Sequence, residues 1–236
     1  MRHVNEDDDV ETIKKKVISA ADFFVEKSVL GVKTIAKIGA NKIQDGDKIL
    51  THCNSKAALA PIIEAFNQGK EIQVFATESR PWRQGLLTIR DLSEAGVPTT
   101  LIIDSAVRLK MKEIDLVFVG ADTVYSNGNL LNKIGTSQVA QSAFEFEKPV
   151  YGCTETYKFS PKSLAGHVSE IEERDISEVI EPEKLPKGVK VFNPVFDETP
   201  AKYISGYITE EGIMPPSAVY QYMIQKFGIE YLYKLI

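Results

Sequence analysis

Two short strings carry the residue types that could move protons. In Leu50-Thr51-His52-Cys53-Asn54-Ser55 a thiol follows an apolar run, and in Gly120-Ala121-Asp122 a carboxylate follows another. A thiol at the end of a buried strand and beside a helix N-terminus has its thiolate favoured by unpaired amides and the helix dipole, so Cys53 reads as an acid/base group or a nucleophile. The competing reading is a small buried hydrophobe. Asp122, at the mouth of an apolar cleft, is desolvated and its pKa rises toward that of a general acid, with a capping or ion-pair role as the alternative. Cys153, inside Tyr151-Gly152-Cys153-Thr154-Glu155, reads as structural.

A second set could hold a phosphate ester. Arg80, Arg83 and Gln84 lie beside Gly85, and Asn132-Lys133 precedes Gly135-Thr136 at a helix start. A lysine with free helix-terminal amides and a nearby arginine makes a phosphate cradle, and a solvated charged rim is the bland alternative. No GxGxxG follows the first strand and no GxxxxGK[ST] occurs, which disfavours the standard dinucleotide and P-loop readings.

These residues need elements to position them. Apolar spacing predicts helices over 8–26 and 29–42, with Asp8 or Asp9 as the first N-cap, and then a strand over 48–53. From there strands and helices alternate: helix 56–69, strand 71–77, helix 83–95, strand 99–103, helix 105–112, strand 116–119, helix 135–146 and strand 149–152. Short apolar strands joined by crossover helices predict an α/β fold, a Rossmann-like parallel sheet covered by helices. A short helical segment over 1–44 precedes the Rossmann-like domain over 45–236. The polar stretch 159–188 reads as a surface excursion before a last strand at Val189-Lys190-Val191-Phe192. Ligands of such sheets bind beyond the carboxyl ends of the strands, and here every strand ends in polar or reactive groups.

Composition bounds the function. The chain has 236 residues, a prior of about one to two domains. With 28 Lys+Arg against 33 Asp+Glu the net charge is −5, so there is no basic field to hold a nucleic acid. No apolar run approaches the roughly 18 residues of a membrane span. Asp7, Asp8 and Asp9 stand where a secretory signal would be basic, which predicts a cytoplasmic protein. Two cysteines without zinc-type spacing imply neither a disulfide framework nor a metal site.

Taken together, the Thr51-His52-Cys53-Asn54 string, Glu78-Ser79-Arg80-Pro81 with Gln84-Gly85, Gly120-Ala121-Asp122 to Asn127-Gly128, Asn132-Lys133-Ile134-Gly135-Thr136, and Asn193-Pro194-Val195-Phe196-Asp197 with Thr199-Pro200 resemble one superfamily. It joins ribose-1,5-bisphosphate isomerase, methylthioribose-1-phosphate isomerase and the alpha, beta and delta regulatory subunits of the exchange factor for translation initiation factor two. The resemblance spans about residues 40–236. Cys53 and Asp122 are 69 residues apart, and that spacing, with Glu78-Ser79-Arg80-Pro81, looks like the ribose-1,5-bisphosphate branch. The resemblance implies an aldose-ketose isomerase of a phosphorylated sugar that needs no cofactor, with Cys53 and Asp122 as the catalytic pair. It implies that Asn54, Ser55, Arg80, Gln84, Asn132 and Lys133 bind sugar hydroxyls or phosphate. The alternative it also implies is a non-catalytic regulatory subunit that binds a translation initiation factor, favoured by the lack of an Arg-Gly-Ala string before the first strand. Gly206 to Pro216 and the aromatic tail Tyr231 and Tyr233 resemble the dimer-forming portion, which implies a homodimer or a multiple of dimers.

Overall fold

Ile49 and Leu50 are neighbours in one strand, yet each is fully buried in a different apolar core. Successive side chains of a strand point to opposite faces, so the sheet must be covered on both sides. The computed structural model describes residues 8–228 and shows this arrangement.

The chain runs α1 (Val10–Ala40), β1 (Lys48–His52), α2 (Lys56–Asn67), β2 (Gln73–Thr77), α3 (Gly85–Glu94), β3 (Thr99–Ile102), α4 (Val107–Lys110), β4 (Leu116–Val119), β5 (Thr123–Val124), β6 (Leu130–Lys133), α5 (Thr136–Glu145), β7 (Val150–Cys153), β8 (Phe196–Thr199), β9 (Gly206–Thr209), β10 (Gly212–Met214) and α6 (Val219–Phe227). Seven strands form the main sheet in the order β10-β9-β7-β4-β1-β2-β3. All its neighbours pair in parallel except the β9–β10 hairpin. The chain leaves β1 toward β2 and β3 and returns on the other side as β4. The strand order therefore reverses between β1 and β4, which opens a crevice beyond their carboxyl ends. A small antiparallel sheet, β5-β6-β8, stands next to that crevice.

One core lies between the sheet and α4, α5 and α6, with Leu50, Val117, Val119, Met111, Val139, Ala140 and Met223. The other packs Ile49, Val74, Leu116 and Phe118 against Ile35 and Ala40 of α1 and Ala58, Leu59 and Ile62 of α2. Gly39 is required where these two helices meet, because a Cβ there would lie 2.6 Å from Pro61 Cγ. Cys153 is fully buried in the second core, and burial alone pushes its thiol far up, so it is inert packing as its surroundings imply.

Three expectations are corrected. Residues 8–26 and 29–42 are one helix, α1, capped by Asp9, whose side chain accepts the Thr12 amide. No proline interrupts it, and Ser28, Gly31 and Ile35 continue the stripe begun by Val17 and Phe24. Residues 189–192 form no strand: Phe192 is 75% exposed, and an apolar run without a pairing partner stays a loop. The strands that do form near the C-terminus are β8, β9 and β10. The region 105–112 contains only the single turn α4 between 3-10 turns at Asp104–Ala106 and Met111–Glu113. The surface excursion over 159–188 is present as short 3-10 turns, while Tyr231 and Tyr233 fall outside the described residues. Among the described residues no helix is long and apolar enough to cross a membrane.

Candidate active site

The strands flanking the crevice end in Cys53 and in Gly120-Ala121-Asp122. Both side chains line one cleft of about 400 Å³, together with Asn54, Ser55, Gln84, Asn132, Lys133, Glu155, Lys158 and Arg174.

Cys53 holds a positive φ of 66°, a conformation that a side chain other than glycine's adopts at a cost. Its backbone is held on both sides. The Cys53 amide donates to Ser79 Oγ at 2.8 Å and its carbonyl accepts from Thr88 Oγ1 at 2.6 Å. This turn aims the thiol at Gln84, whose Oε1 accepts from Sγ at 3.2 Å. Gln84 occupies the N-cap position of α3 without capping it, which leaves its side chain free for that contact. Burial pushes the thiol pKa up, opposed by the Asn54 backbone amide and by Lys133, and the Asp122 charge pushes it further. The resting group is therefore a thiol. The expected thiolate bias is reversed, because desolvation outweighs the amides at the start of α2.

The Asp122 carboxyl is also pushed above the ordinary range by burial, against the pull of Lys158 and Lys133. Its backbone amide donates to Leu131 O at 2.9 Å, which ties it to β6 and to the Asn132-Lys133 pair. Gly120 lets this segment approach α2, since a Cβ there would sit 2.5 Å from Ser55 Oγ. A carboxyl group of weakened acidity and a thiol thus line one polar cleft, together with Lys56, Lys133 and Lys158.

The remaining expected residues divide. Lys133 lines the cleft and lies over the Phe196 ring, 5.3 Å from its centroid. Asn132 is buried and donates to Thr136 Oγ1 at 3.0 Å. Asn54 donates to Thr88 and Asp91, both at 3.2 Å, fastening α3, while Ser55 caps α2. Arg80 lines not the cleft itself but a smaller recess that shares Trp82, Lys133 and Arg174 with it. Its side chain is exposed, its amide donates to Asp104, and Asn193 lines the same recess. Arg83 also does not line the cleft.

The expected cradle of free amides at the start of α5 is corrected. The Asp197 carboxylate accepts from the Gly135 amide at 2.7 Å and from the Ser137 amide at 3.1 Å. A built-in anion already occupies that helix terminus. Positive charge reaches the cleft from Lys158 instead, which follows β7 in a 3-10 turn and pairs with Glu155 at 3.5 Å. It also comes from Arg174, stacked 4.1 Å over the Trp82 ring and paired with Glu178 at 2.9 Å. Lys158 lies just two residues past the polar string Thr154-Glu155-Thr156, so the strand-end rule carried slightly further would have included it. Arg174 has no sequence signal, being one of many charges in the excursion. Among the described residues no group of three or more His, Cys, Asp or Glu could hold a metal ion.

Comparison with known proteins shows the family to which the fold belongs. The model of the Initiation factor 2 subunit family matches residues 1–216. A Methanocaldococcus jannaschii protein named ribose 1,5-bisphosphate isomerase is 52% identical over 217 residues, covering 92% of this chain and 70% of that one. A Geotalea uraniireducens protein named methylthioribose-1-phosphate isomerase is 41% identical over 223 residues, covering 88% of this chain and 64% of that one. The solved structure described as the Pyrococcus horikoshii OT3 translation initiation factor eIF-2B superposes with a TM-score of 0.76 at 36% identity, covering 84% of this chain and 69% of that one.

Proposed function

The chain belongs to the Initiation factor 2 subunit family, and from that premise we propose that it is a sugar-phosphate isomerase converting ribose 1,5-bisphosphate to ribulose 1,5-bisphosphate. The observation that carries the reading is that Cys53 and Asp122 line one cleft with Lys133 and Lys158. The chain's 52% identity to a protein of that name selects the bisphosphate.

The net reaction opens the furanose, moves one hydrogen from C2 to C1 and leaves a ketone at C2. Asp122, whose carboxyl burial makes a weaker acid, gives a proton to the ring oxygen in its protonated form as the bond from C1 to that oxygen breaks. The hydroxyl at C2 loses its proton as the carbonyl forms, which restores the proton count. Cys53, oriented by Gln84, manages the protons near C1 and C2. Lys133 and Lys158 are the cations for phosphate, and Asn132 stands beside them for a hydroxyl or phosphate oxygen.

A homodimer or a multiple of dimers belongs to the same reading. Val17, Ile18, Phe23, Phe24 and Val25 on α1 are exposed apolar area that such an association would cover, and a monomeric mass in solution would contradict it.

The test is turnover of ribose 1,5-bisphosphate and of methylthioribose 1-phosphate by one purified preparation, with the ketose product identified by mass and NMR. Formation of ribulose 1,5-bisphosphate supports the reading. No turnover of either sugar, together with co-purification of a translation initiation factor, would replace it with the regulatory alternative.

A further inference from the structure

Among the described residues His52 is a buried imidazole beside the cleft that the mechanism leaves unused, and it is 2% exposed. Its Nε2 lies 2.8 Å from Ile134 O and its Nδ1 lies 2.6 Å from Thr77 Oγ1. A carbonyl oxygen only accepts, so Nε2 carries the hydrogen. Burial favours the neutral ring, with Asp104 and Lys133 as the charges acting on it in opposite senses. Nδ1 is then an acceptor, and the Thr77 hydroxyl must donate to it. Thr77 Oγ1 is left to accept from Ser79 Oγ, 3.1 Å away, and Ser79 Oγ accepts the Cys53 amide at 2.8 Å. The Ser79 hydroxyl can also reach His52 Nδ1, at the longer distance of 3.5 Å, and toward either acceptor it donates in the direction of the imidazole; Thr77 and Ser79 are each only 1% exposed.

We propose that His52 is a positioning residue that, through this one-way series of buried hydrogen bonds, locks the Cys53 turn to the Lys133-Ile134-Gly135 loop. Two left-handed residues stand side by side at one end of the series, Cys53 at φ 66° and Ser79 at φ 59°. Both conformations are costly for residues with a Cβ, and the buried hydrogen bonds are what hold them. At the other end Gly135 presses on the ring, where a Cβ would lie 2.9 Å from His52 Cε1. The imidazole thus spans the distance between the strand that ends in the thiol and the strand that ends in Lys133. A reversed tautomer would put a hydrogen on Nδ1, turn the Thr77 hydroxyl around, and leave the Ser79 hydroxyl without an acceptor in the series.

The inference rests on the proposed isomerase reading for its kinetic consequence but not for its geometry. Three measurements test it, on the full chain and on Thr77→Val and Thr77→Ser. Nitrogen-15 spectra of the wild type should show His52 protonated at Nε2 and not at Nδ1. Thr77→Val, which keeps the shape and removes the hydroxyl, should lower kcat roughly tenfold to a hundredfold with little change in KM, and Thr77→Ser should restore it. Iodoacetamide should alkylate Cys53 faster in Thr77→Val than in the wild type or Thr77→Ser, with the fully buried Cys153 silent. A protonated Nδ1, or a Thr77→Val protein with wild-type alkylation, overturns the proposal. If the wild type turns over no ribose 1,5-bisphosphate, the isomerase reading falls, while the spectra and the alkylation rates still decide the role of His52.

Discussion

The Cys53 thiol donates a hydrogen bond to the side-chain oxygen of Gln84 across 3.2 Å. An amide oxygen stabilises S–H and offers nothing to a thiolate, so the contact orients the sulfur and keeps its proton. Cys53→Ser replaces a soft acid/base group with a hydroxyl of much higher pKa and should lower kcat by about two to four orders of magnitude, with an unchanged circular dichroism spectrum. Gln84→Leu keeps the thiol and removes its acceptor. It should lower kcat by about tenfold and make Cys53 alkylation faster at neutral pH, because the thiolate no longer faces the amide oxygen.

Asp122 serves as an acid only while it is protonated. Burial raises its pKa, so the rate is full below that raised value and falls about tenfold per pH unit above it. Lys158 is the largest influence in the opposite direction. Lys158→Met should therefore move the alkaline limb of kcat to higher pH while raising KM for the bisphosphate. Asp122→Asn should abolish both the activity and the limb. A limb unmoved in Lys158→Met would show that another group titrates there.

What could be read from the sequence follows from which elements announce themselves. β1, β2, β4 and β7 are apolar runs buried on both faces, and the parallel order follows from the helices between them. From that order alone the polar strand ends could be placed at one edge of the sheet, and Cys53 and Asp122 do line one cleft there. β9 and β10 escaped because Gly206–Thr209 and Gly212–Met214 are short and glycine-led, and their pairing is set by β7, far away in sequence. Lys158 and Arg174 could not be placed because their approach to the cleft depends on a 3-10 turn and on stacking against Trp82, neither of which leaves a periodic pattern. The roles of Asn54 and Asp197 were hidden for a different reason. Each is a polar residue whose partners, Asp91 and the α5 amides, are tertiary neighbours.

Asp197 gives the fold a pH dependence of its own. Burial pushes its pKa to about 6 even though two α5 amides favour the charge. Because the folded value lies above the unfolded one of about 3.9, the contribution to stability is fully present below about pH 4 and is lost as pH rises through about 6. The loss amounts to about 2–3 kcal/mol, on the order of a two-unit shift. Asp197→Asn cannot ionise, so its denaturant midpoint should lose this dependence between mildly acid and neutral pH. A variant with the same slope as the wild type would assign the titration elsewhere.

Gly85 joins the site to the fold most tightly. It begins α3, directly after Gln84, and a Cβ at this position would lie 1.9 Å from Thr77 O and 2.9 Å from Glu78 Cα. Those are backbone atoms of β2 and its end, which cannot rotate away. Gly85→Ala must therefore push α3 off the sheet, and α3 carries both Gln84 and Thr88, whose hydroxyl holds the Cys53 carbonyl at 2.6 Å. The expected destabilisation is about 3 kcal/mol or more, with kcat lost in the molecules that still fold. Gly46→Ala is the control. Its φ of 86° is left-handed, unlike that of the helical Gly85, and nothing lies within 4 Å of the added Cβ, so only backbone strain of about 1–2 kcal/mol is expected and activity is retained. A Gly85→Ala loss no larger than that of Gly46→Ala, with activity kept, would mean that α3 can shift away from β2 without disturbing Cys53.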